Sequence, residues 1–172
     1  MKIWWVIASE YSEGGWHWGI FFRRPSHGKS WGGPEWIRSS LSHTHIRRMR
    51  KGDLVIAYQA KEGVAGLAQL ASDGYQTRTA GPHDLFDLSS TVMLPLRQVI
   101  PLVAIKALPH ATSTFEFLRV LRGTVFRVEV KGFQRLVGLL LAYNPEQVRL
   151  LSAFLSHSGA PSPFRITQSR RR

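Results

Sequence analysis

No cysteine occurs anywhere in this chain, which excludes disulfides, thiolate zinc sites and cysteine nucleophiles and makes a reducing compartment the expected setting. Acidic residues are scarce as well: 11 Asp and Glu stand against 23 Lys and Arg, for a formal net charge of +12. Those acids are scattered singly, so the carboxylate cluster of a two-metal nuclease is missing. No apolar run approaches the roughly 20 residues that span a bilayer. The opening Met1-Lys2-Ile3-Trp4-Trp5-Val6-Ile7-Ala8 gives way to Ser9-Glu10 before it reaches the length of a signal-peptide core. There is no glycine-rich phosphate loop of the Walker type and no internal repeat. A cytoplasmic protein with no membrane partner, no metal and no cofactor is the expectation.

What the chain does have is clustered positive charge. Between residues 23 and 51, Arg23, Arg24, Lys29, Arg38, Arg47, Arg48, Arg50 and Lys51 are set against Glu35 alone. Such clustering points to a polyanionic partner, DNA or RNA, more than the total charge does. The bland reading is a solvated basic face that aids solubility. Arg170, Arg171 and Arg172 add a second, terminal run.

The 172 residues, 44% of them apolar, suffice for one buried core. We expect a single domain over residues 1–156 and a flexible basic tail over 157–172. Residues 2–8 are continuously apolar and rich in Trp, Val and Ile, which predicts a central strand buried on both faces. Residues 10–34, punctuated by Gly14-Gly15, Arg24-Pro25-Ser26 and Gly32-Gly33-Pro34, read as one long ordered loop. A helix is expected over 35–50. Lys51-Gly52-Asp53 then turns the chain into a buried strand over 54–58, which forms an antiparallel hairpin with 64–70. Residues 72–90 read as irregular. A strand over 91–100 follows, confined by Pro95 to an edge or a bulge, then a short helix over 101–106. Thr112-Ser113-Thr114 reads as the cap of a helix over 115–121. A half-exposed strand over 124–130 and two helices broken at Asn144-Pro145 complete the chain.

The order of these features resembles the EVE domain, a member of the PUA-like superfamily that also includes YTH and ASCH domains. The resemblance is carried by the Trp-bearing first strand with Ser9-Glu10 behind it, by Trp31-Gly32, and by Arg48-Met49-Arg50-Lys51-Gly52-Asp53-Leu54-Val55-Ile56-Ala57-Tyr58. Gly63-Val64-Ala65-Gly66-Leu67-Ala68 and Val103-Ala104-Ile105-Lys106 continue it. It implies an α/β (α+β) fold, a PUA-like mixed β-barrel of about five to six strands with flanking helices. It also implies a reader that accommodates a flipped base, methylated or hydroxymethylated, in an aromatic pocket without catalysis, and that works alone or with a partner nuclease. The pocket residues it nominates are Ser9, Trp31 and Tyr58, with Trp36 competing with Trp31 for one position. The chain departs from the family pattern in Tyr11, where a proline follows Ser-Glu, and in Gly33-Pro34-Glu35, which replaces a polar stretch holding an asparagine.

Chemistry supports these nominations. Extruding a base costs a few kcal/mol, recovered by stacking on aromatics and bonding to its edge. Trp16 and Trp18, interleaved with Gly and His, are further stacking candidates, whereas Trp4 and Trp5 belong to the core. Arg23, Arg24, Arg47, Arg48, Arg50 and Lys51 are the expected phosphate contacts. His43-Thr44-His45 invites zinc, but residues i and i+2 of a helix point apart and no third ligand is evident. The alternative from another class is an ASCH-like, metal-independent ribonuclease built on Lys51, Tyr58 and Glu10.

Overall fold

A computed structural model describes residues 1–11, 16–23, 30–34, 41–70, 73, 83–87, 90–120 and 123–160, with the side chains of 30–34, 41–43, 83–87 and 90–91 outside the description. In chain order the elements are β1 (Ile3–Ala8), α1 (Trp18–Arg23), β2 (Ser30–Pro34), α2 (Leu41–Ile46), β3 (Leu54–Gln59) and β4 (Gly63–Leu70). They continue with β5 (His83–Asp87), β6 (Ser90–Ile100), α3 (Leu102–Lys106), α4 (Ala111–Thr114) and a 3-10 turn at Glu116–Leu118. β7 (Val125–Val128), α5 (Val130–Tyr143), a second 3-10 turn at Pro145–Gln147 and α6 (Val148–His157) close the chain. Five strands form a mixed sheet in the order β6-β4-β3-β1-β7, and β2 pairs with β5 apart from it.

The apolar run of residues 3–8 does become a central strand. Strand β1 lies parallel to β3, with Ile3 opposite Leu54 and Ala8 opposite Gln59, and antiparallel to β7. Because side chains alternate across a strand, each face of the sheet needs its own cover, and each has it. On one face Trp5, Leu54, Ile56, Phe126, Phe133, Leu136 and Leu140 pack together beneath α5 and α6. On the other, Trp4, Val6, Val55, Ala57, Trp16, Trp18 and Phe21 form a second core. The small residues of β4 are explained here: a Cβ on Gly66 would collide with the Phe22 ring and come within 2.7 Å of the Leu94 carbonyl oxygen. The space serves packing between α1 and the sheet.

Strand β6 is the edge that Pro95 foretold, and its stretch from Pro95 to Gln98 is already paired. The Asn144 side chain accepts from Gln98 N (2.8 Å) and donates to Gln98 O (3.0 Å), while Gln147 accepts from Arg97 N (2.9 Å) and donates to Pro95 O (3.1 Å). Two side-chain amides thus stand in for a neighbouring strand and remove an aggregation-prone template.

Several expectations are corrected. Residues 18–23 are helical within the segment read as loop, and 83–87 form a strand within the segment read as irregular. Thr112-Ser113-Thr114 lies inside α4 instead of capping a later helix, since Phe115 turns extended (φ −111°, ψ 112°) to bridge Val128 and enter the core. Within the expected tail, Ser158 and Ala160 are buried, and residues 161–172 lie outside the described residues.

Candidate nucleic-acid interface

Parallel pairing makes β1 and β3 start together and finish together. At the finishing end, Ala60 N donates to Ala8 O at 2.8 Å, which brings Ser9 beside the turn that follows Tyr58. Ser9 is half-buried; its carbonyl accepts Trp16 N at 3.1 Å and its Oγ accepts Tyr11 N at 3.3 Å. Tyr58 is 6% exposed, with Trp5 at 5.2 Å and Phe117 at 6.0 Å between ring centroids. Its ring is therefore part of an aromatic layer, and what it can offer a ligand is its hydroxyl.

Burial pushes the Tyr58 hydroxyl above its ordinary value of 10.0, so at neutral pH it is a phenol able to donate a hydrogen bond. The unfolded chain ionises first, near 10.0. Stability contributed by Tyr58 is thus fully present below that pH and declines as pH rises toward the folded value. Urea denaturation followed upward from pH 10 should show a steeper loss for the wild type than for Tyr58→Phe.

The starting end of the same two strands carries the charge. Lys2, Arg47, Arg48, Arg50 and Lys51 are all exposed there, gathered by a tight turn with Gly52 at φ +84°. The buried Asp53 carboxylate organises the turn: it accepts Lys2 N at 2.7 Å, Trp4 Nε1 at 2.8 Å and Arg50 N at 3.0 Å. Arg50 Nη1 donates to the carbonyls of Arg47 (2.7 Å) and Met49 (2.9 Å), and Lys2 Nζ reaches Arg48 O at 3.4 Å. An extended chain from Lys2 to Ser9 covers roughly 23 Å. Ser9 and Tyr58 therefore lie at one end of the sheet, and Arg47, Arg48, Arg50 and Lys51 at the other.

That separation takes apart the ribonuclease arrangement, because Lys51 stands at the end opposite Glu10 and Tyr58 and the three share no site. The stacking expectation for Trp16 and Trp18 is corrected as well. Trp18 is 1% exposed and donates from Nε1 to Val6 O at 3.2 Å. Trp16 meets Trp18 edge-on at 4.6 Å and is likewise buried. The physical reason is α1, which lays this apolar segment over the second face of the sheet, its start fixed by Trp18 N donating to Gln59 Oε1 at 3.0 Å. Arg23 ends that helix, with Nε on Gly19 O at 3.0 Å, and does not join the Arg47–Lys51 cluster. His45 is engaged by Val125 O at 2.9 Å and packs on Trp4 at 5.5 Å, a structural role. Trp36 and Arg24 lie outside the described residues, as does the Trp31 side chain; the Trp31 backbone pairs with Phe86 in β2 and β5. Sequence reading missed Lys2 as a member of the basic end, and it missed Tyr11 and Lys61 at the other, where the Lys61 ammonium stands 3.6 Å from the Tyr11 ring centroid.

The family model for the EVE domain matches residues 4–139. No curated protein matches the chain in sequence. Among solved structures, a protein from Rhodopseudomonas palustris is similar with a TM-score of 0.64 at 20% identity, covering 85% of this chain and 94% of its own. One from Agrobacterium tumefaciens gives 0.66 at 21%, with 81% and 93% covered. Human THYN1, solved in complex with 5-methylcytosine-containing DNA, gives 0.64 at 16%, with 81% and 98% covered.

Proposed function

The chain belongs to the EVE domain family, and from that membership we propose that it is a nucleic-acid-binding reader of a modified base, with no catalysis of its own. The observation that carries the reading is the division of labour between the two ends of one parallel strand pair. One end presents a half-buried serine and a neutral, buried phenol; the other presents five exposed cations. Base contacts specify and phosphate contacts position, and the two kinds of group are placed apart here. In this reading Ser9 and Tyr58 meet the edge of a flipped base, and Trp31 or Trp36 supplies the stacking face. The methylated base is the favoured ligand, since human THYN1, a similar fold, is solved with 5-methylcytosine DNA.

The test is direct binding of the full chain to matched DNA and RNA oligonucleotides carrying unmodified, methylated or hydroxymethylated cytosine. The reading expects at least one modified form to bind about tenfold or more tightly than its unmodified counterpart, the scale of one good base contact. Equal affinity across the set overturns it.

A further inference from the structure

Tyr11 stands out on the surface. It is 70% exposed, and among the described residues it is the only exposed aromatic. Its backbone is tied to Ser9 Oγ, so its position follows that of the candidate pocket. One face of its ring lies under Lys61 Nζ at 3.6 Å. Lys61 itself sits at φ +69°, a left-handed conformation that disfavours side chains other than Gly and Asn and is held here at some cost. The neighbouring Glu62 is engaged by His17 Nε2 at 2.9 Å, which leaves the Lys61 ammonium without a carboxylate partner among the described residues. The left-handed Lys61 belongs to the turn that Glu62 N closes on Gln59 O at 3.1 Å, and that turn holds its ammonium over an exposed ring two residues beyond Ser9.

We infer that Tyr11 and Lys61 form a clamp for the nucleotide next to the one taken in at Ser9 and Tyr58. The base of that neighbour stacks on the open face of Tyr11, and the Lys61 ammonium meets the phosphate joining the two nucleotides. The inference rests on the reading of this end of the sheet as the base-binding end. It adds a local cation that the distant Arg47–Lys51 cluster cannot supply, and it gives Tyr11 work where the family pattern has proline.

The probe is a short DNA oligonucleotide with one central 5-methylcytosine, made in versions with an abasic site at each position around it. Stacking of a base on an aromatic accounts for roughly 5- to 100-fold in affinity. Tyr11→Ala should weaken binding within that range, and Tyr11→Phe should restore it. An abasic site at one position adjoining the methylcytosine should weaken wild-type binding by a similar factor and leave Tyr11→Ala unaffected. Lys61→Gln should weaken binding and flatten its salt dependence by about one phosphate contact. Unchanged melting temperatures in the Tyr11 variants separate binding from folding. If the wild type binds the probe and Tyr11→Ala binds equally well, the clamp is wrong and the reader stands. If the wild type binds neither this probe nor any modified member of the DNA and RNA set, the reader falls and the clamp with it.

Discussion

Replacing Asp53 with alanine is expected to cost about 2–4 kcal/mol of folding stability, a large share of what a domain of this size possesses. The carboxylate is 3% exposed and accepts three donors, two from backbone at Lys2 and Arg50 and one from the Trp4 indole. Hydrogen bonds to a charged acceptor are each stronger than neutral ones, and a donor left buried without a partner keeps its full desolvation penalty. Truncation takes the acceptor from Trp4 Nε1, which belongs to the second core, and from the part-buried amides of Lys2 and Arg50. Asp53→Asn should recover little, because the new amide N–H group faces donors. Guanidinium denaturation of both variants checks this, and a loss below about 1 kcal/mol for Asp53→Ala would show that the turn is held by other means. The Lys-Gly-Asp turn is thus a fastening between the first strand and the basic cluster.

That turn was legible in the sequence, and so were the strands around it. Residues 3–8 and 54–58 are apolar without alternation, and only a strand covered on both sides needs that. Pro95 marked an edge because its missing N–H cannot serve an interior ladder. What escaped were elements whose cause lies elsewhere in the chain. Helix α1 spans too few residues for a period to emerge, and Gly and His beside Trp16 and Trp18 suggested exposure. Burial of that segment depends on Gly66, far along the chain, leaving room for Phe22. Phe115 likewise follows a bridge to Val128 over any local capping signal. In the candidate site, Ser9 and Tyr58 were nominated by resemblance, and the parallel register of β1 and β3 brings their strand ends together. The distance from them to the arginine cluster was invisible, since it is set by which way the parallel pair runs. Tyr11 and Lys61 belong to different turns and become neighbours only through the pairing of Ala8 with Gln59.

Exchanging Arg47, Arg48 and Lys51 for glutamine should give the largest change in binding without a change in preference. Among the described residues these exposed side chains have no bonds comparable to those of Arg50, which holds the carbonyls of Arg47 and Met49, so their removal should leave the turn intact. If each meets one phosphate, the logarithmic salt slope of binding to duplex DNA should shrink by about 2.7, from roughly 0.9 per contact. Over a fourfold rise in salt the wild type would then lose about 40-fold more affinity than the triple variant. Preference for a methylated over an unmodified base should survive, because the candidate residues Ser9 and Tyr58 stand roughly 23 Å away along the strands. Binding isotherms for the two proteins at several salt concentrations, with paired methylated and unmodified duplexes, read both quantities at once. An unchanged slope would remove these residues from the interface. A lost preference would mean that the two ends of the sheet are coupled, with the basic end setting how the strand enters the pocket.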